Sequence, residues 1–275
     1  FASDARWAGV AGKGVGSGDV GRSSLDRIRR RGYVMVGTPG DYPPYSLLCA
    51  HSSSGAAFCD NKAWGGADID MVTRLASAMG VQVQMVKTTW RELVDDMATH
   101  AKFDIAVGGI TDTVQRRLSL SFSAPYAHSG KTAVVRCGSD LEASLANSTS
   151  LNQKDLVIGV NEGGTNHKFV LAHAPRATVI LIDQGSQGEA LTEGSVQVVI
   201  TDTVEARLMT AWFGGALCVV SDKGWTREPK AMALPRGDVS LKLFVDAWLD
   251  QEADAIKQSL SHWTASAALH GPFSP

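Results

Sequence analysis

The chain has 275 residues, too many for one small hydrophobic core, so two lobes are expected. Its 44% hydrophobic and 20% charged residues are those of an ordinary globular protein, and a net charge of −2 excludes the basic character of a nucleic-acid binder. No apolar run approaches the roughly 20 residues that a membrane span needs.

Residues 1–24 carry Gly, Ser and isolated charges without periodicity and read as a poorly ordered tail. No secretion leader is visible, and a chain beginning at Phe1 reads as a mature or trimmed form. Leu25 and Ile28 start a short helix that Gly32 ends, and Tyr33 to Val36 form a strand. The turn TPGDYPPYSLL then sets Asp41, Tyr42 and Tyr45 at the carboxyl end of that strand, where open α/β sheets bind ligands. Packing of Tyr against Pro explains the same letters equally well. Cys49 and Cys59 bracket HSSSGAAF, which looks like a loop tip closed by a disulfide.

Apolar Ile69, Met71, Val72, Leu75, Ala76 and Met79 recur at helical spacing up to Gly80, and Val81 to Val86 alternates as a strand. TTWRELVDDMATHAKFD reads as a second helix with Trp90 at its start, either a ring-stacking wall of a pocket or a staple into the core. Ile105 to Val107 is the next strand, and the βαβα order predicts a largely parallel sheet. FSAPYAHSGKTAVV suits a crossing between lobes, with Lys131 just beyond it. The α/β rhythm then repeats over residues 134–220: a strand at Leu156 to Val160, a Gly-rich turn and helix in NEGGTNHKFVLAHA, a strand at Thr178 to Ile182 and a helix in SQGEALTEG. Gly163, Gly164 and Thr165 at a helix start offer free N–H groups to an anion, although no phosphate-loop motif is present. WTREPKAMALPRG crosses back, and Val239 to Trp263 forms one or two helices on the first lobe. This places lobe 1 at residues 25–126 plus 231–275 and lobe 2 at 127–230.

The most informative stretch is VQVVITDTVEARL at residues 196–208, a β-branched strand capped by Thr201 or Asp202 and followed by a helix. It puts Asp202 and Glu205 on one face of a first helical turn. Upstream, ITDTVQRRL at 110–118 echoes ITDTVEARL at 200–208 and offers Thr111 and Arg116. Two such turns, one basic and one acidic, can line a shared cleft. Duplication and the ordinary letters of a strand–turn–helix both account for the echo.

The four cysteines form no CxxC and no zinc spacing, so a metal site is not expected. Cys137 and Cys218 each follow an apolar strand and are placed to pair across one lobe. Two disulfides mean an oxidising compartment; four buried thiols are the cytosolic alternative.

The order DYPPYS, GADIDMVTRLA, FDIAVGGIT with Arg116, FSAPY, GGTN and TDTVEARL resembles the type II periplasmic binding-protein fold, in its amino-acid-binding branch. GKT at 130–132, GGTN at 163–166 and TDxxEARL at 201–208 resemble the periplasmic cyclohexadienyl (prephenate/arogenate) dehydratases. The resemblance covers about residues 25–265. It departs at the Cys49–Cys59 insertion and at His167, where an acidic residue is expected.

The resemblance implies an α/β protein of two lobes, each a mostly parallel sheet flanked by helices, with a ligand in the interlobe cleft and a periplasmic or secreted location. It implies that Arg116 and Thr111, with Gly109 on the same turn, hold an α-carboxylate, and that Thr165 and Asn166 close on the anion from the second lobe. Asp202 would meet an ammonium in an amino-acid receptor. Lys131 is the candidate for a second carboxylate, a solvated lysine at a strand start being the alternative. Trp90, Tyr42 and Asp41 form the wall, and Glu205 is the general acid. The implied reaction is decarboxylating dehydration of prephenate to phenylpyruvate or of arogenate to phenylalanine, with no cofactor and no metal. The alternative is a non-catalytic receptor that delivers an amino acid to a transporter, in which Glu205 has no use as an acid. A hydrolase reading lacks GxSxG and any nucleophile constellation. The oligomeric state is left open.

Overall fold

The computed structural model describes residues 23–49, 59 and 62–270. The tail expected over residues 1–24 falls outside them except for Ser23 and Ser24, as does the loop at 51–58. The first helix, Ser24–Arg31, starts where Ser23 accepts a hydrogen bond from the Asp26 N–H and stops at Gly32, which has φ 80°. Asp26 in its first turn and Arg29, Arg30 and Arg31 in its last complement the helix dipole.

Two five-stranded sheets form the frame. The first runs Gln82–Lys87, Tyr33–Thr38, Ile105–Ala106, Ala233–Pro235 and Leu120–Phe122. The second runs Thr178–Leu181, Val157–Val160, Val198–Asp202, Lys131–Arg136 and Leu217–Val219. In both, the first two pairings are parallel and the last two antiparallel. The antiparallel strands have one origin: the chain enters each sheet directly from a crossing segment. Those crossings, Ala127–Ser129 and Glu228–Lys230, pair antiparallel as a separate two-stranded ribbon between the lobes.

Strand alternation sorts the core. In the second sheet Val135, Val198 and Ile200 pack on one face and Val134 and Val199 on the other, all fully buried. In the first sheet Val34, Val36 and Ile105 meet Leu75, Leu241 and Val245 from the helices Ala67–Met79 and Val239–Gln251. Each such side chain contributes about 1.5–3 kcal/mol on leaving water.

Three elements differ from the sequence reading. The helix expected across residues 88–104 shrinks to Leu93–Ala98. Asp96 accepts from Thr88 Oγ1 at 2.7 Å and from Lys102 Nζ at 2.7 Å, which fastens the chain on both sides of that helix, and Ala101 turns away at φ 46°. The helix after the first ITDTV turn is only Val114–Arg117, whereas the second runs Thr203–Trp212. The last helix, Ala253–His270, extends past Trp263 and is not confined to the first lobe. It packs on Ala67–Met79 and on Thr203–Trp212, with Trp263 Nε1 donating to Asp70 at 2.6 Å and Trp212 Nε1 to the Ala267 carbonyl at 2.8 Å. Both expected disulfides are formed, Cys49–Cys59 and Cys137–Cys218, and no cysteine is free.

Candidate active site in the interlobe cleft

The buried strand Val198–Asp202 ends on a residue that is also the N-cap of the next helix. An N-cap Asp ordinarily accepts from its own helix. Asp202 makes no such bond. Its carboxylate accepts instead from Lys131 Nζ at 2.7 Å, Lys230 Nζ at 2.6 Å and the Tyr42 hydroxyl at 2.6 Å. Burial pushes this carboxyl up, but the charges and hydrogen bonds of Lys230 and Lys131 outweigh it and hold the group well below the ordinary carboxylate range.

Backbone register delivers both lysines. Lys131 lies opposite Asp202 in the antiparallel ladder, and Lys230 bridges to Thr111. Lys131 is fully buried, and Nζ also donates to Thr165 Oγ1 at 2.8 Å and Asn166 Oδ1 at 2.6 Å, with Glu228 Oε2 at 3.2 Å. An ammonium has three N–H groups, so Lys131 has none left. Lys230 Nζ donates to Thr111 Oγ1 at 2.9 Å besides Asp202, and burial lowers its pKa against the opposing charge of Asp202.

On the facing turn, Arg116 is buried with Nη1 donating to the Thr111 carbonyl at 2.8 Å. It forms no ion pair among the described residues, which leaves most of a planar donor fork for a carboxylate. Gly109 has φ 68°, and a Cβ there would lie 2.5 Å from the Tyr45 ring. The Gly108 and Gly109 N–H groups both donate to Asp68 Oδ2, at 2.7 and 2.8 Å, and are not free for a ligand. Asp68 is buried and its carboxyl is pushed up to about 6 by burial, against hydrogen bonds from Tyr126, Gly109 and Gly108.

Glu205 is 5% exposed and accepts from Thr201 Oγ1 and Gln184 Nε2. Burial, with the charges of Asp202 and Asp41, pushes its carboxyl up to about 7 against those two bonds. A carboxyl in that range keeps its proton in about half of the molecules at neutral pH and can give it away. Asp41 accepts from Trp90 Nε1 at 3.0 Å, and burial pushes it up to about 6. The Tyr42 and Trp90 rings meet edge to face with centroids 5.8 Å apart.

These side chains line a cleft of about 330 Å³, the part open to solvent included. Of the residues expected from sequence, Tyr42, Trp90, Gly109, Thr111, Arg116, Thr165, Asn166, Asp202 and Glu205 line it. Lys131 does not; it lies behind Asp202, Thr165 and Asn166. Asp41 faces two adjoining recesses, and Tyr45 is fully buried beneath Gly109. His167 Nδ1 accepts from Gly163 N–H at 3.4 Å, within its own turn.

Gly164, expected at an anion-receptive helix start, lines the cavity too; sequence reasoning passed over Lys230, Gln184 and Asn161, which also line it, and Asp68, which braces it. Asn161 and Gln184 follow the strands Val157–Val160 and Thr178–Leu181, so the strand-end rule applied to every strand would have found them. Lys230 stands at the end of the returning crossing as Lys131 stands at the end of the outgoing one.

The model of the bacterial extracellular solute-binding proteins, family 3, matches residues 34–265. The cyclohexadienyl dehydratase of Pseudomonas aeruginosa is 32% identical over 244 residues, 88% of this chain and 86% of that protein. An L-cystine-binding protein of Escherichia coli is 25% identical over 240 residues, 86% of this chain and 84% of that protein. Among solved structures, an ancestral amino-acid-binding protein described as a precursor of cyclohexadienyl dehydratase superposes with a TM-score of 0.76 at 29% identity, covering 88% of this chain and all of that one. Among the described residues no helix is long and apolar enough to cross a membrane.

Proposed function

The chain belongs to the bacterial extracellular solute-binding proteins of family 3, and from that premise we propose that it is a catalytic member, a decarboxylating dehydratase acting on prephenate, arogenate or both in the periplasm. Lobes at residues 25–126 with 231–275 and at 127–230 are part of this reading.

The observation that carries it is Glu205, a buried carboxyl whose pKa is pushed up to about 7 on the wall of a cleft that holds an unpaired Arg116. A receptor gains nothing from a neutral acid there. In the reaction, the bond from the ring to its carboxylate breaks and CO2 leaves. That electron pair completes the aromatic ring and expels the ring hydroxyl. Glu205 supplies the proton, so the leaving group is water, and regains it from solvent afterwards.

The other residues orient and exclude water. Arg116 and the Thr111 hydroxyl take the side-chain carboxylate of the substrate. Thr165 and Asn166, in the first turn of the helix Thr165–His173, face the ring carboxylate with the positive end of that helix. Lys131, its protons spent within the chain, holds Asp202, Thr165 and Asn166 in place. Trp90 and Tyr42 flank the ring. The test is incubation of purified protein with prephenate, reading phenylpyruvate by its absorbance in alkali. Steady formation by the parent and formation slower on the order of 10²-fold by Glu205→Gln is expected; no formation by the parent ends the reading. The second reading, a non-catalytic amino-acid receptor, draws on the likeness to the L-cystine-binding protein. Tight binding of an amino acid without turnover of prephenate would select it.

A further inference from the structure

Lys230 has a feature that Lys131 lacks. Two of its N–H groups are taken, by Thr111 Oγ1 and Asp202 Oδ2; the third has no oxygen acceptor among the described residues, its only other neighbour of that kind being the Tyr42 ring, with the ammonium 5.5 Å from the ring centroid. The side chain lines the cleft, and it is bonded to the hydroxyl that stands beside Arg116. A carboxylate held by Arg116 and Thr111 therefore brings its α-substituent next to an unspent donor. A carbonyl oxygen there accepts a hydrogen bond; an ammonium there presents N–H to N–H and charge to like charge.

The acceptor that would rescue an ammonium is already occupied. Asp202 takes three hydrogen bonds, two of them from ammonium groups, at 2.6–2.7 Å. A ligand ammonium would be a third cation at one carboxylate. The other acids around the cleft are Asp68, bonded to Tyr126, Gly108 and Gly109, Glu228, ion-paired to Lys131 at 3.2 Å, Asp41, bonded to Trp90, and Glu205. An ammonium drawn to Glu205 would favour its carboxylate and strip the proton that the reaction needs.

We propose that Lys230 makes this cleft selective for 2-oxo acids over 2-amino acids, its free N–H meeting the oxo group and its hold on Asp202 removing the site for an ammonium. The choice of substrates rests on the dehydratase reading; the selectivity does not require turnover.

Two measurements separate them: kcat/KM for prephenate and for arogenate, and calorimetric Kd for phenylpyruvate and for L-phenylalanine. Prephenate is expected to lead by on the order of 10²-fold or more, and phenylpyruvate to bind tighter than phenylalanine in the same sense. Lys230→Met and Lys230→Gln are expected to shrink the preference by about tenfold or more. Comparable use of both substrates, a lead for arogenate, or a preference that both variants leave intact overturns the proposal. Should neither variant fold, the parent's own ratios decide. With no turnover of either substrate, tighter binding of the oxo acid keeps the selectivity while ending the dehydratase reading. Equal or tighter binding of the amino acid, or no binding of either ligand, overturns the selectivity as well.

Discussion

Residues 110–118 and 200–208 carry nearly the same letters, and both leave a buried strand end for a helix on a wall of the cleft. Their third residue shows how differently they are used. Asp112 pairs with half-exposed Arg117, at 2.7 Å from Nε and 2.5 Å from Nη2. Asp202 is buried between two lysines and a tyrosine. The sixth residue diverges as well, Gln115 being exposed and Glu205 buried. The cause is register. In the second turn a crossing strand sets its lysine opposite the Asp, Lys131 facing Asp202; in the first it sets Lys230 opposite the Thr, one residue earlier. A slip of one residue exchanges the faces of a strand. The same pentapeptide therefore gives its carboxylate to two buried lysines once and to a half-exposed arginine once.

That contrast is open to direct attack. Asp202→Asn leaves two buried ammoniums with too little counter-charge and is expected to cost about 3–5 kcal/mol of stability; Asp112→Asn loses a pair whose arginine stays half in water and is expected to cost about 1 kcal/mol. Urea denaturation of the two variants measures both, and equal losses would erase the distinction between the turns. Arg116→Met removes the free guanidinium of the first turn and is expected to raise KM on the order of 10²-fold or more. An unchanged KM would remove Arg116 from substrate binding. At the sixth position, Glu205→Gln should lower kcat on the order of 10²-fold while a substrate analogue still binds, whereas Gln115→Glu at the equivalent exposed site should leave kcat as it was. If Glu205→Gln turns over within a few-fold of the parent, the acid lies elsewhere.

The smallest effect sharpens the comparison through pH. Because Glu205 must carry its proton, kcat should be flat in the acid range and fall about tenfold per pH unit well above its pKa of about 7. The same shift sets a stability slope. The folded pKa is raised from the ordinary 4.5, so between about 4.5 and 7 the unfolded chain has lost the proton that the folded protein keeps. Fewer protons bound in the unfolded state mean that stability falls as pH rises through that window. Glu205→Gln should flatten that part of the curve, and a curve identical to the parent's would contradict the buried acid.

How far the sequence revealed these features follows from their range. Local signals were enough for most elements: Gly32 ends the first helix, whose cap Ser23 was lost in the expected tail, Gly80 ends the second, and β-branched Val198, Val199 and Ile200 declare a buried strand. They were enough to bring Glu205 and Thr111 to the cleft, each a few residues past an apolar strand, and the repeated ITDTV letters added Arg116 ten residues past its strand. What depends on two distant segments meeting was not readable. Lys230 in EPKAMAL looks like a surface lysine until the crossing Glu228–Lys230 pairs with Ala127–Ser129, about a hundred residues earlier. Lys131 was read as facing the ligand because its donors' partners, Thr165 and Asn166, come from a different turn. Asp68 looks like a solvated first-turn acid, and only the approach of Gly108 and Gly109 makes it a brace.

The helix Ala253–His270 adds a mechanical term to this. A body joined to another by two short strands swings about them at little cost. Here a further fastening exists, because the same helix grips Ala67–Met79 and Thr203–Trp212, and the cluster of Leu208, Trp263 and Ala267 sits between them. Parting the jaws therefore means breaking the Trp212–Ala267 bond and wetting that cluster, so the resting equilibrium leans shut. X-ray scattering of the ligand-free protein should then give a radius of gyration that a saturating ligand barely changes; a marked contraction on binding would show the fastening to be loose. A carrier that must announce its cargo by snapping closed has little use for such a latch. A reaction vessel that must keep water out gains from it, since each ligand spends less of its binding energy on closure.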